Sequence, residues 1–131
     1  MMKKHNGFTV IEVLFITVLF GIASVFFFIQ KHNLQVAAVD NTRKTSINAM
    51  YYSLEEVFYP ANGYYPQTIS TDNLKAVDPA LFTDPSGIKL GDKDSTYIYS
   101  PLDCSDKKCK NYILTAKLQN EADFVKKSNR K

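Results

Sequence analysis

The chain has 131 residues, 45% of them hydrophobic and 22% charged, with a formal net charge of +3. That length holds one domain with a modest core and excludes a two-domain enzyme or a polytopic transporter. The net charge is too small for the total alone to argue nucleic-acid binding.

From the N-terminus, a short basic head carrying Lys3 and Lys4 leads to Gly7. The next 22 residues, Phe8 to Ile29, have Glu12 as their only charge. A helix of that length rises roughly 33 Å, enough to match a hydrocarbon core of ~30 Å. The run is too long for the apolar core of a cleaved secretory signal, and no small-residue cleavage site follows it at Gln30–Val36. It therefore reads as a single membrane span. Lys3 and Lys4 lie on one side but Lys31, Arg43 and Lys44 on the other, so counting positive charges leaves the orientation open. The very short head and the cysteine pair further on favour a cytoplasmic N-terminus. Glu12 is the anomaly. An acid inside a span costs up to ~2.5–3.5 kcal/mol at the bilayer centre and is a functional candidate by default. The bland alternative is a side chain that snorkels to the interface.

The residues KKHNGFTVIEV resemble the type IV prepilin signature, shared with the pseudopilins of type II secretion and competence systems. The resemblance extends to Gly21 within the apolar helix and to NGYYP at Asn62–Pro66, a phrase common after the first helix of major pilins and pseudopilins. It implies a leader over residues 1–7, cut by a prepilin peptidase between Gly7 and Phe8. It also implies N-methylation of the new Phe8 amine, with Glu12 fifth in the mature chain. The implied partners are further copies of the chain in a helical filament, the peptidase, an assembly ATPase with its platform proteins, and the inner or cytoplasmic membrane before assembly. The implied location is a single-pass membrane protein that becomes an extracellular pilus. One departure stands out: many members carry a helix-breaking Pro near the end of the span, where this chain has Ile29. The implied logic is physical. An all-round apolar helix adheres but registers poorly, and a Glu12 carboxylate paired with a neighbouring Phe8 amine would fix the stagger. Gly21 would permit close helix approach.

The span occupies residues 8–30, and the remaining residues 31–131 form the head. Beyond Gln30, Ile47, Met50, Tyr51, Leu54, Val57 and Phe58 recur at three and four, the stripe of an amphipathic helix. Asp40–Ser46 is polar all round and reads as exposed or frayed. No Gly or Pro lies between Ala23 and Tyr59, so one gently curved helix is expected over a pair hinged near Lys31–Leu34. Pro60 and Asn62-Gly63 end it. Helical turns are expected at Thr71–Val77 and at Pro79–Phe82, the latter capped by Asp78, then a turn at Asp84–Gly87. A short strand is expected at Ile88–Leu90, and better ones at Tyr97–Ser100 and Tyr112–Leu118. In the last, Tyr112, Leu114, Ala116 and Leu118 form an apolar face towards the helix. Pro101–Asn111 reads as a linker, and the tail from Asn120 to Lys131 as polar and frayed. The fold class is α+β: a long N-terminal helix, half membrane-spanning and half amphipathic, on a small antiparallel sheet, which is the pilin arrangement.

Cys104 and Cys109 lie in DCSDKKCK with four residues between them. That is poor zinc spacing, and neither His5 nor His32 is near. They can close a disulfide across a hairpin loop if the head is extracytoplasmic, contributing about 2 kcal/mol, or remain free thiols. The sequence holds no Ser-His-Asp set, Gly-rich phosphate loop or paired His, so no enzyme activity and no bound cofactor is expected. Asp84, Asp92 and Asp94 are weak calcium candidates, because the major pseudopilins that this head resembles bind calcium in loops; their spacing matches no fixed ligand pattern. Charge is polarised: Thr45–Asp106 holds nine acids against three lysines, and Lys107–Lys131 eight bases against two acids. That pattern suits complementary contacts between stacked subunits or a basic strip that meets DNA or surfaces, although the tail shows no aromatic–basic pattern. The expected function is a major-type pilin of a type IV pilus, serving adhesion, twitching motility or DNA uptake. The alternatives are a pseudopilin and a membrane-anchored binding module.

Overall fold

The structure, a computed structural model, describes residues 7–130. The residues of the expected leader before Gly7 lie outside the described residues, as does Lys131. Two compact units divide at Gln35 and Val36, and each is described by itself.

Helix α1 runs Val10–Tyr52. Residues 31–34 are helical like their neighbours, so the alternative of a break there fails. In the first unit every Val, Ile, Leu and Phe from Val10 to Ile29 is at least 39% exposed. The helix is long and apolar enough to cross a membrane, its most apolar window having a mean hydropathy of 2.5 with none of it buried.

In the second unit α1 continues into a six-residue π-helical turn, Ser53–Phe58, and a short helix α2, Tyr59–Asn62. Pro60 therefore does not stop the helix. The widened turn carries the chain past it, and the Tyr59 N–H bonds the Leu54 carbonyl. Gly63 stops it instead, at φ 75° with its N–H 2.7 Å from the Tyr59 carbonyl, a left-handed cap that suits glycine.

A four-stranded antiparallel sheet follows. The strands are β1 (Tyr65–Pro66), β2 (Tyr97–Ser105), β3 (Lys108–Ala116) and β4 (Phe124–Lys127). β3 is central, paired with β2 along one edge and with β1 and β4 along the other. The apolar face expected of Tyr112, Leu114 and Ala116 is buried as read. It packs with Ile47 and Met50 of α1, Leu54 of the π-helical turn, and Tyr65, Tyr97, Leu74, Val77 and Phe82.

Three expectations change. Pro101–Asn111 is not a linker: the strands extend to a two-residue turn at Asp106-Lys107, with φ 50° and 65°. Pro101 is tolerated because β2 is an edge strand, and aspartate accepts the left-handed region better than most residues. The tail is not frayed, since Phe124–Lys127 pairs with Ile113–Ala116. Asp40–Ser46 is neither frayed nor exposed all round: it is helical, and Asp40, Arg43 and Ser46 are buried while Asn41, Thr42 and Thr45 face out.

Smaller differences follow the same pattern. Thr71–Val77 forms turns anchored by Leu74 and Val77, Ile88–Leu90 holds only the bridge between Thr83 and Lys89, and β3 ends at Ala116. The 3-10 helix Pro79–Phe82 is capped as expected, the Asp78 carboxylate accepting from the Ala80 N–H at 2.9 Å. The Asp84–Gly87 turn is also present, with the Gly87 N–H 2.9 Å from the Asp84 carbonyl.

Candidate functional site

Gly7, Phe8 and Glu12 meet at the start of α1. Gly7 and Thr9 precede the helix and are exposed, as is Glu12 in its first turn. Thr9 caps it: its carbonyl accepts from Glu12 N–H at 3.0 Å and from Val13 N–H at 3.2 Å, and its hydroxyl lies 3.4 Å from Glu12 N–H. Thr9-Val10-Ile11-Glu12 is thus the T-x-x-E spacing of a capping box. That signal stands in the sequence beside the signature read above, but only its Thr9 half is formed: among the described residues the Glu12 carboxylate makes no return bond to the Thr9 N–H.

The other polar groups of the apolar segment are satisfied internally. Thr17 donates to the Val13 carbonyl at 2.7 Å and Ser24 to the Phe20 carbonyl at 2.8 Å, as an apolar surrounding demands. Among the described residues no ion pair or side-chain hydrogen bond engages the Glu12 carboxylate. Among the described residues nothing beyond the helix's own neighbouring backbone lies within 4 Å of where a Cβ on Gly21 would stand. A glycine in mid-helix costs roughly 0.5–1 kcal/mol relative to alanine, and no contact within this chain offsets it.

The second unit holds a different constellation, built on Glu55 in the π turn. Glu55 is 3% exposed. Its Oε1 accepts from the Tyr65 hydroxyl at 2.9 Å, the Tyr112 hydroxyl at 2.8 Å and the Asn129 N–H at 3.2 Å. Burial, and after it the bond to Glu55, push both phenols well above the usual tyrosine range, so both remain donors. Arg130 Nε lies 3.8 Å from Glu55 Oε2, and its guanidinium stacks 5.3 Å from the Tyr59 ring centroid. Pro60 has no N–H to give the Glu55 carbonyl in the five-residue register; Arg130 Nη2 stands 3.5 Å from that oxygen. Glu55 therefore fastens the C-terminal segment to the helix.

Asp40 does the same one end earlier. Its carboxylate accepts from Gln119 N–H at 3.0 Å, Asn120 N–H at 3.1 Å and Arg43 Nη1 at 3.2 Å. Asp84 organises its loop, accepting from the N–H groups of Ser86 and Ile88 at 2.9 and 3.0 Å and from the Thr96 hydroxyl at 2.7 Å. Both of its oxygens are thus occupied by donors. Asp92 and Asp94 are exposed, and among the described residues no three His, Cys, Asp or Glu gather to hold a metal.

Burial raises the Asp40 and Asp84 carboxyls, but the N–H donors, with Arg43 or Thr96, overcome it and hold both below the ordinary 3.8. Each carboxylate therefore contributes stability that is present above pH ~4 and lost as pH falls through its lowered folded-state pKa. The head should keep a constant melting temperature from pH 7 to about 5 and lose stability below about 4. Asp84→Asn should flatten part of that slope, and a profile identical to the parent's would count against this assignment.

Cys104 and Cys109 are disulfide-bonded and directly opposite each other across β2 and β3. No family model, characterised protein or solved structure matches this chain.

Proposed function

We propose that the chain is a pilin, a filament subunit cut between Gly7 and Phe8, methylated at the new amine and assembled through α1. The observation that carries the reading is an apolar helix exposed on every side, with one carboxylate, Glu12, that has no partner among the described residues and stands four residues after Phe8. An apolar surface of that extent cannot remain in water, so it must face lipid or other copies of itself. Gly21, with open space around it, suits a close neighbouring helix better than a lone span.

In this reading the chain waits in the membrane with its N-terminus in the cytoplasm. The head lies outside, where a disulfide persists. A prepilin peptidase, an assembly ATPase and platform proteins are the partners it requires.

Processing is the direct test. A bulky Gly7→Val change should leave an uncut, membrane-bound precursor without filaments, read by mass spectrometry of the N-terminus and electron microscopy of shed material. Normal filaments that retain Lys3 and Lys4 would sink the reading. In the parent, long surface filaments distinguish a pilin from a pseudopilin.

A further inference from the structure

A cleft of about 550 Å³ opens between the end of the helix and the β2–β3 hairpin, within the roughly 300–1,000 Å³ typical of small-ligand sites. Tyr59 and Tyr64 line it on the helix side, the hairpin tip and Cys109 on the other, and Arg130 closes one end. We propose that this cleft binds an acidic saccharide, a unit with one carboxylate among many hydroxyls. The inference does not rest on the filament reading, since it concerns the second unit alone.

Three features point to a ligand. First, two of the cations are not spent on carboxylates. Among the described residues neither Lys108 nor Lys110 has a carboxylate oxygen within 4.0 Å, and Lys108 stands over the Tyr64 ring at 5.1 Å. Arg130, over Tyr59 at 5.3 Å, is already engaged by Glu55. Two uncommitted lysines thus border one recess.

Second, the wall is pre-shaped. Asp103 and Asp106 line it and hold positive φ, at 54° and 50°. The two-residue turn and the Cys104–Cys109 disulfide hold that rim in one shape, so its carboxylates are set in place before a ligand arrives.

Third, acceptors stand among the donors. Asp103 and Asp106 line the same recess, and Asp103 Oδ2 already receives the Asn111 amide at 3.2 Å. Carboxylates beside the cations repel a backbone with a charge on every unit, such as nucleic acid. They suit sugar hydroxyls, which can donate to Asp106 while the single anion meets Lys108 and Lys110. The half-buried Tyr59 and Tyr64 add apolar ring surface to the wall.

The test uses the full chain in detergent micelles, titrated with sialyllactose, lactose, inorganic phosphate and an oligo-thymidylate. Calorimetry and saturation-transfer NMR report binding. Sialyllactose should bind, and lactose at least about tenfold more weakly, since it lacks the charge-assisted bonds. Lys108→Gln and Lys110→Gln should each weaken sialyllactose about tenfold, whereas Lys89→Gln, outside the cleft, should not. All three positions are exposed, and an unchanged melting curve verifies that each variant folds.

Equal binding of lactose would overturn the proposal, as would indifference to both cleft lysines or no sialyllactose binding at about 10 mM, a free energy too small to matter. Tight oligo-thymidylate binding through the same lysines, without the saccharide, would assign the cleft to nucleic acid instead. Phosphate competing as well as sialyllactose would reduce it to a bare anion site.

Discussion

Glu12→Gln and Glu12→Ala should both yield cleaved, membrane-inserted protein that assembles at least several hundredfold less readily per subunit added. Removing the charge lowers the cost of the span, so insertion is unharmed or improved. Cleavage continues because the Gly7–Phe8 junction is intact. What is lost, in the filament proposed above, is the partner for the Phe8 amine, which each incoming subunit would bury unpaired at roughly 3–5 kcal/mol. The two variants separate the charge of Glu12 from its size, and neither disturbs the Thr9 cap, which the backbone N–H groups of residues 12 and 13 make. Glutamine keeps the length and polarity of the side chain without its charge, whereas alanine removes both. Counting filaments by electron microscopy and verifying the N-terminus by mass spectrometry decides the matter. Normal assembly of Glu12→Gln with failure of Glu12→Ala would show that assembly does not need the charge. Normal filaments from both would remove Glu12 from the assembly mechanism altogether.

The largest effect on the head should come from Glu55→Leu. The change leaves the Tyr65 and Tyr112 hydroxyls and the Asn129 N–H without the acceptor they share. Two buried phenols and a part-buried amide together cost about 3–5 kcal/mol. For a unit of roughly a hundred residues that is a fall of about 15–25 °C in melting temperature. Glu55→Gln should cost far less, because an amide oxygen can stand where Oε1 stands and all three bonds converge there. Thermal melts of the full chain in micelles, followed by near-ultraviolet tyrosine dichroism, measure both. A Glu55→Leu melt within a degree or two of the parent would show that the convergence carries no stability.

The parts of the fold that were legible in the sequence are those decided by local pattern. The apolar run, the stripe Ile47–Met50–Leu54 and the alternation Tyr112–Leu114–Ala116 each state their own burial. Gly63 and Asp78 carry their capping chemistry in their identity. What was hidden depends on partners far along the chain. Asp40 and Arg43 look like solvent-facing residues until Gln119 and Asn120 supply N–H groups to the carboxylate. β4 has only four residues and exposes alternate side chains, so its composition resembles a free tail. It is a strand because β3 offers an edge. The Asp-Lys turn lacks the glycine by which such turns are usually found. At the N-terminus, Glu12 carries two signals in the sequence, a charge within an apolar run and a spacing of three from Thr9, which accepts its backbone N–H.

The fastening of the helix by distant residues also sets a schedule. Asp40 waits 79 and 80 residues for the N–H groups that satisfy it, and Glu55 waits 74 for Asn129. At synthesis rates of about 5–20 residues per second, that is roughly 4–16 s in which the nascent helix has emerged but its buried acids are bare. During that interval Asp40, Arg43, Lys44, Glu55 and Glu56 keep the residues after Gln35 hydrophilic, prolonging the polar stretch that Gln30–Asn33 begin just beyond the apolar run. In the membrane-inserted chain proposed above, the same carboxylates that later lie in the core would thereby act, while the chain is being made, as a second boundary stone behind Lys31 at the end of the span.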